Sequence, residues 1–454
     1  MKKLFIISGF LLLVVYAFAL MSFKKPDTGK IVLRWATDPN PARKVQTKLF
    51  GELNPGLEVT VESGAMEKLL VQCATGTGPD IIDIYGATQM DCYAKAGLLL
   101  DLTPYASKMG FDPSKTYPSL KEDLCVDGKQ YRFPCNTGGN CVIYNKKIFD
   151  DHGVEYPKPD WTIEDFIKAG KKFNEPGKSG QTHIPLASFY PYWVFIDMYY
   201  SLGGRYYTDD GLKSKLDSPE AIKALQTYHD MMHVYKIIPS PEVVAGMSSQ
   251  GGWGSGPIVW FSTGKAAMIM IGRWYLNILV NYPDMAQNIA SVGLPRFEGH
   301  PPSGLLGCRG PGINAQSKHK EQAMKFLSYL ASVDYGTLIV RDGDSLPPNP
   351  TLAQNGEMLV NKTVSDPAFH QPFVDAMKTA RPIDNSPFIN ALEVQRWIDE
   401  RLARVENNPG INIEILMKDL ATEINNKIKR NIDRSKALQE KYKSVTGKDW
   451  KPEK

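Results

Sequence analysis

Between residues 31 and 97, short runs rich in β-branched residues alternate with helical stretches, and this alternation restricts the fold more than any other feature of the chain. Ile31-Val32-Leu33-Arg34-Trp35 reads as a strand that ends at a polar loop, Ala36 to Pro41, with a helix from Ala42. Leu57-Glu58-Val59-Thr60-Val61 alternates apolar and polar with period two, as a half-buried strand does. Met66 to Ala74 reads as a helix, and Asp80 to Tyr85 as a third strand. Gln89 to Ala96 is helical, with Gly97 placed to cap it. Strand and helix in turn predict an α/β fold with a parallel sheet covered by helices on both faces.

Further along, Tyr131 to Pro134 and Cys141 to Tyr144 read as strands flanking a glycine-rich link, Asn136 to Asn140. Thr162 and Asp165 form a capping-box pattern at a helix start. Helices are predicted over Pro219 to Val234, Ala266 to Val280 and Glu321 to Ala331, with a glycine-rich loop at Gly251 to Gly256. Leu416, Leu420, Ile424 and Ile428 recur every fourth position and mark a long amphipathic helix.

The chain of 454 residues carries a net charge of only +4 and no basic run, so nucleic acid is not an expected partner. Its first 23 residues differ from the rest: Lys2 and Lys3 precede an apolar run from Leu4 to Leu20, and Ala17-Phe18-Ala19 offers a small-residue cleavage site. These are the parts of a secretory signal peptide. Leu4 to Phe23 is also twenty residues, about a bilayer's span, so an uncleaved anchor stands as the alternative. Both readings export the remainder, to the periplasm or another extracytoplasmic space. Six cysteines (Cys73, Cys92, Cys125, Cys135, Cys141 and Cys308) fit an oxidising compartment, and Cys73–Cys92 is the expected disulfide. No C-x-x-C occurs, so the cysteines do not read as a zinc site.

Gly78-Pro79-Asp80 followed by Ile81-Ile82-Asp83-Ile84, and then Ala94-Lys95-Ala96-Gly97-Leu98-Leu99, resembles the family 1 extracellular solute-binding proteins of ABC importers. So does Tyr144-Asn145-Lys146-Lys147-Ile148-Phe149 followed by Gly153, Pro157 and Trp161-Thr162. Further matches are Asp127-Gly128-Lys129, Phe261 with Gly264-Lys265-Ala266-Ala267-Met268, Gly293-Leu294-Pro295, Gly312-Ile313-Asn314 with Ser317-Lys318, and Ala323 with Phe326-Leu327. The resemblance runs from about residue 30 to 430. It implies a two-lobed periplasmic-binding-protein fold of type II, with hinge strands and a ligand cleft. The lobes expected are 29–138 with 310–366, and 139–309 with 367–445, crossing near Pro134–Asn140, Gly307–Ile313 and Pro367. It also implies a monomer that takes a small molecule, a carbohydrate above all, to ABC permease subunits, with no cofactor, no metal and no catalysis. Glycerol phosphate esters are the alternative cargo.

Ligands of open α/β sheets bind outside the carboxyl ends of the strands. That rule selects Thr37, Asp38 and Asn40 after the first strand, Tyr85, Thr88 and Gln89 after the third, and Asn136 and Thr137 at the hinge. Sugar rings offer apolar faces to aromatic planes and hydroxyls to carboxylates, amides and arginine. Tyr190, Trp253 and Trp274 are the aromatic candidates, with core packing as the other reading. Arg273 and Arg309, if both face the cleft, favour an acidic sugar; the other reading pairs them with carboxylates inside a lobe.

Enzyme readings are weaker. His229 and His233 have the helical spacing of zinc ligands but lack the neighbouring Glu and a third ligand. There is no P-loop and no G-x-S-x-G elbow. A glycoside hydrolase would require two carboxylates set across a cleft.

Overall fold

The computed structural model describes residues 29–63, 66–188, 190–247 and 256–452. The signal-or-anchor segment and Trp253 therefore lie outside the described residues. The first three strands form where the alternation puts them: β1 (Ile31–Thr37), β2 (Leu57–Ser63) and β3 (Ile81–Tyr85). A short hairpin, β4 (Cys125–Val126) and β5 (Lys129–Gln130), follows. The remaining strands are β6 (Asn136–Gly139), β7 (Cys141–Asn145), β8 (Ile184–Ser188), β9 (Ala266–Ile271), β10 (Ile289–Val292) and β11 (Leu306–Ile313).

Beside the two-stranded β4–β5 sheet, two larger sheets form, one per lobe. The first has five strands in the order β2-β1-β3-β11-β6, and the second has four in the order β10-β7-β9-β8. In the first, β1 runs parallel to β2 and β3, while β11 is antiparallel to β3 and β6. In the second, β7 is antiparallel to β10 and β9, and β8 is parallel to β9. Each sheet buries its own core. Leu33, Trp35, Phe50, Ile81, Phe133 and Phe326 fill the first, with Trp35 edge-on to Phe326 at 5.0 Å. Val142, Tyr144, Phe149, Phe166, Tyr199 and Met268 begin the second. The Ile413–Arg434 helix sends Leu416, Leu420, Ile424 and Ile428 into that second core, as its four-residue period requires. Thr162 and Asp165 make the capping box read from their spacing.

The chain changes sheet abruptly. Only Asn140 separates β6 in the first sheet from β7 in the second. The chain returns between β10 and β11, and a third segment then runs beside β6, where Thr137 and Leu346 exchange backbone hydrogen bonds of 3.1 and 2.9 Å. Buried Asp197, on the Pro191–Ser201 helix, ties two of these passages together. Its carboxylate accepts from the Asn140 amide at 3.0 Å and from the Leu305 N–H at 2.7 Å.

Four sequence expectations give way, the first being the strand at Tyr131 to Pro134, which makes only an isolated bridge from Arg132 to Gly312. The glycine-rich segment at 136–139 is strand β6 rather than a link between strands. Residues 266–271 are strand β9 rather than helix, because a six-residue run buried on both faces has no period to distinguish the two. All six cysteines are free thiols. Cys73 and Cys92 belong to one apolar cluster, but Cys73 Sγ lies against Gly78 whereas Cys92 Sγ lies 4.0 Å from the Asn390 amide, so the two thiols do not converge. Among the described residues, no helix is long and apolar enough to cross a membrane.

Candidate functional site

The carboxyl ends of β1 and β3 come together beside β11, whose register sets Arg309 opposite both Tyr85 on β3 and Asn136 on β6. Asp83 interrupts the otherwise apolar β3 and becomes the centre of a buried polar cluster. Its carboxylate accepts from Trp35 Nε1 at 2.7 Å, from the Thr37 hydroxyl, and from Arg309 Nη1 at 2.7 Å. Arg309 Nη1 also reaches Thr37 Oγ1 at 3.2 Å, while its Nη2 lies 3.5 Å from Asp344.

A second arginine completes the cluster. Arg43, on the Ala42–Leu53 helix, donates to Asp344 at 2.6 Å, to Gln46 at 2.7 Å and to Asp38 at 3.0 Å. Both guanidiniums sit 6.0 Å from the centre of the Trp35 ring, within cation–π range. Burial works to raise Asp344, but Arg43 and Arg309 outweigh it and hold the carboxyl down at about 2. Asp38 responds in the same way: burial raises it, Arg309 and Arg43 oppose, and the net shift is downward. Three carboxylates (Asp38, Asp83 and Asp344) thus face two guanidiniums, an excess of one negative charge. Tyr85, at the mouth of this cluster, keeps 52% of its surface exposed.

The other sequence-derived residues divide into supports and surface groups. Gln89 is buried, accepts from the Tyr85 N–H at 2.7 Å and donates to the Tyr93 hydroxyl at 3.0 Å, so it fixes the end of β3. Thr88 beside it and Asn136 on β6 are buried, and Asn40 is buried with its amide oxygen capping Ala42. Arg273 is 1% exposed and wholly engaged. It donates to His370 Nδ1 at 3.1 Å, to the Ser345 carbonyl at 2.7 Å and to the Leu359 carbonyl at 2.5 Å. Burial, with Arg273 beside it, lowers His370 to about 4, which keeps the imidazole neutral as an acceptor from Arg273. Trp274, next along, is half-buried against the second sheet's core, and Tyr190 is 47% exposed beside Trp193. His229 Nε2 and His233 Nε2 meet the Pro409 and Val405 carbonyls at 2.9 and 2.8 Å, which pins both rings to backbone.

Sequence reasoning missed Arg43, Asp83 and Asp344. Asp83 left a signal, a lone carboxylate inside a β-branched strand. Arg43 and Asp344 left none, being 301 positions apart. Contacts also run between the lobes. Asn277, just after Trp274, donates to Asp344 at 3.1 Å, the Ala391–Asn407 helix packs on the Ala87–Lys95 helix, and Lys441 pairs with Asp127 at 2.9 Å. Chemically the cluster presents carboxylate acceptors, of which Asp38 and Asp344 are shifted toward the ionised form.

The family profile described as "Bacterial extracellular solute-binding protein" matches residues 35–337. The chain is 27% identical over 303 residues to the diacetylchitobiose binding protein DasA of Streptomyces coelicolor, covering 66% of this chain and 67% of that one. It is 28% identical over 275 residues to the arabinooligosaccharide-binding protein of Bacillus subtilis, covering 60% of each. These matches span about two thirds or less of the curated relatives' length. Its fold is that of ABC substrate-binding protein Lmo0181 from Listeria monocytogenes in complex with cycloalternan, with a TM-score of 0.74 at 24% identity over 88% of this chain and 99% of that chain. Maltose-bound MalE3 of T. maritima is similar, with a TM-score of 0.71 at 21% identity over 87% and 98%.

Proposed function

This chain belongs to the family of bacterial extracellular solute-binding proteins, and from that premise we propose that it is the extracytoplasmic receptor of an ABC importer, closing two lobes around a neutral oligosaccharide and releasing it unchanged to the permease. The relatives named for diacetylchitobiose and arabinooligosaccharides support a carbohydrate cargo. A neutral cargo is favoured by the charge count at the strand ends. Arg309 and Arg43 are matched by Asp38, Asp83 and Asp344, with one carboxylate in excess. Arg273, the other candidate anion-holder, is engaged by backbone carbonyls and His370. A uronate or phosphate ester entering here would meet a cluster in which carboxylates outnumber guanidiniums. Sugar hydroxyls, by contrast, donate readily to ionised carboxylates.

In this reading Tyr85 covers a sugar face from the first lobe, while Trp274, Tyr190 and Trp253 are the second lobe's aromatic contributors. Thr37, Asp38 and Asn136 line the floor; Gln89, Arg273 and Arg309 position their neighbours. In this reading the hinge comprises Asn136–Asn140, the start of β11 and Asp344–Leu346, beside the crossing expected near Pro367. The receptor acts as a monomer after export by its N-terminal segment.

A thermal-shift screen tests the reading. Neutral di- to tetrasaccharides should raise the melting temperature, whereas uronates and glycerol phosphates should not, and no reducing ends should be released from any of them. A shift with anionic ligands alone would overturn the assignment of charge, and turnover would overturn the receptor itself.

A further inference from the structure

Away from the cleft, a second group of side chains is built for a different ligand. We propose that Asp151, His152 and His183 form a binding site on the second lobe for a divalent transition-metal ion of zinc's class. Among the described residues, this is the one set of three His, Cys, Asp or Glu side chains whose donor atoms all lie within 4.8 Å of one another.

The local fold holds each donor. His152 ends the Lys146–His152 helix, and its side chain is only 1% exposed. Its Nδ1 lies 3.1 Å from the Lys172 carbonyl, which can only accept, so Nδ1 carries the proton and Nε2 keeps its lone pair. A carbonyl behind the outer nitrogen is the arrangement that orients histidine toward a metal. That Nε2 faces His183 Nδ1 at 2.9 Å and Asp151 Oδ2 at 3.9 Å. The loop after residue 176 wraps the carboxylate: Ser179 donates to it from both N–H and hydroxyl at 2.8 Å, and Lys178 N–H binds the Asp151 carbonyl at 2.9 Å. A Cβ on Gly177 would stand 2.1 Å from Asp151 Oδ2, so only glycine lets the loop pass this close. His183 also lines a surface depression shared with Asn174, Gln181 and Lys265, which gives an ion a way in.

Zinc takes two imidazoles, a carboxylate and a water at about 2.0–2.1 Å in a tetrahedron, which sets donor atoms about 3.3 Å apart. The His–His distance is a little below that and the His–Asp distance a little above, so small side-chain rotations suffice. On binding, His183 takes its Nε2–H tautomer, its Nδ1 proton exchanging through solvent, which leaves His152 Nε2 and His183 Nδ1 as ligands with no net proton released. The bound ion would clamp the end of the Lys146–His152 helix to the segment entering β8.

The test uses the full chain stripped with chelator and titrated with Zn²⁺ by calorimetry, and with Co²⁺ by visible absorption. The expected result is one equivalent of Zn²⁺ with about micromolar affinity, a tetrahedral Co²⁺ spectrum and a melting temperature raised by a few degrees. His183→Ala and Asp151→Asn should each weaken binding at least tenfold while retaining wild-type circular dichroism and sugar response. No saturable Zn²⁺ binding to the wild type, or binding that persists undiminished in either variant, would overturn the site.

Discussion

Arg43 Nη1 donates to Asp344 Oδ2 over 2.6 Å, with both side chains buried, and so joins the chain's first described helix to the segment that runs beside β6. The same carboxylate accepts from Gln46 and, across the lobes, from Asn277. One residue therefore senses the first lobe's core, the hinge and the second lobe together. Under the proposed closure, this carboxylate lies where the two lobes meet.

Removing one partner of this cluster should cost far more than a surface change. Asp344→Ala strips Arg43 and Arg309 of the buried carboxylate that both approach, a loss of about 3–5 kcal/mol by the precedent of broken buried pairs. Urea unfolding of Asp344→Ala, Arg43→Ala and the double variant is the measurement. The double variant should be less damaged than the sum of the single ones, because the second removal takes away a charge the first had stranded.

Tyr85→Ala should separate binding from folding. The ring is half exposed, so its loss should change stability by no more than about 0.5 kcal/mol. Loss of a stacking face should weaken oligosaccharide binding about tenfold. Calorimetry on the variant, beside its melting curve, reads both effects.

Asp197 makes stability depend on pH. Burial pushes its carboxyl up to about 7, against the opposing hydrogen bonds from Leu305 and Asn140. A carboxyl raised on folding favours the protonated fold. Its contribution is therefore fully present below the unfolded value near 3.8 and is lost as pH rises toward about 7. Asp197→Asn is uncharged throughout, so the wild type should lose ground against it between about pH 4 and pH 7, by up to about 4 kcal/mol, and hold level above. Denaturant midpoints of both proteins at pH 4.5, 6 and 8 (approximately spaced across that window) check the direction.

Gly310→Ala should damage the first sheet where β11 passes Phe133. A Cβ there would stand 2.4 Å from the Phe133 carbonyl oxygen and 2.9 Å from Pro134 Cα, both backbone atoms that cannot swing aside. Overpacking of this kind costs about 1–3 kcal/mol. Gly293→Ala, with nothing within 4 Å of its Cβ, should leave the melting temperature unchanged and serves as the control.

How much of this was legible in the sequence depends on the range of the interaction involved. β1, β2 and β3 were readable because period-two alternation and β-branched runs are local signals. β9 was read as helix because all six of its residues are buried and carry no alternation. β6 was read as a link because glycine implies turning, yet those glycines serve close approach. A Cβ on Gly139 would meet Ala376 at 2.9 Å, and one on Gly138 would meet the Ser345 hydroxyl at 2.9 Å. The strand-end rule selects Thr37, Asp38 and Tyr85, and Arg309, a candidate on its charge alone, lies beside them. It could not find Arg43 and Asp344, whose pairing exists only once residues far apart in the chain are folded together.

Small-angle scattering with and without a neutral oligosaccharide that shifts the melting temperature tests the central claim most directly. The account requires the radius of gyration to contract on saturation, with the contraction lost or displaced to higher sugar concentration in Tyr85→Ala. A radius unchanged at saturating sugar would contradict it, because the cargo would then be held without the two halves moving together.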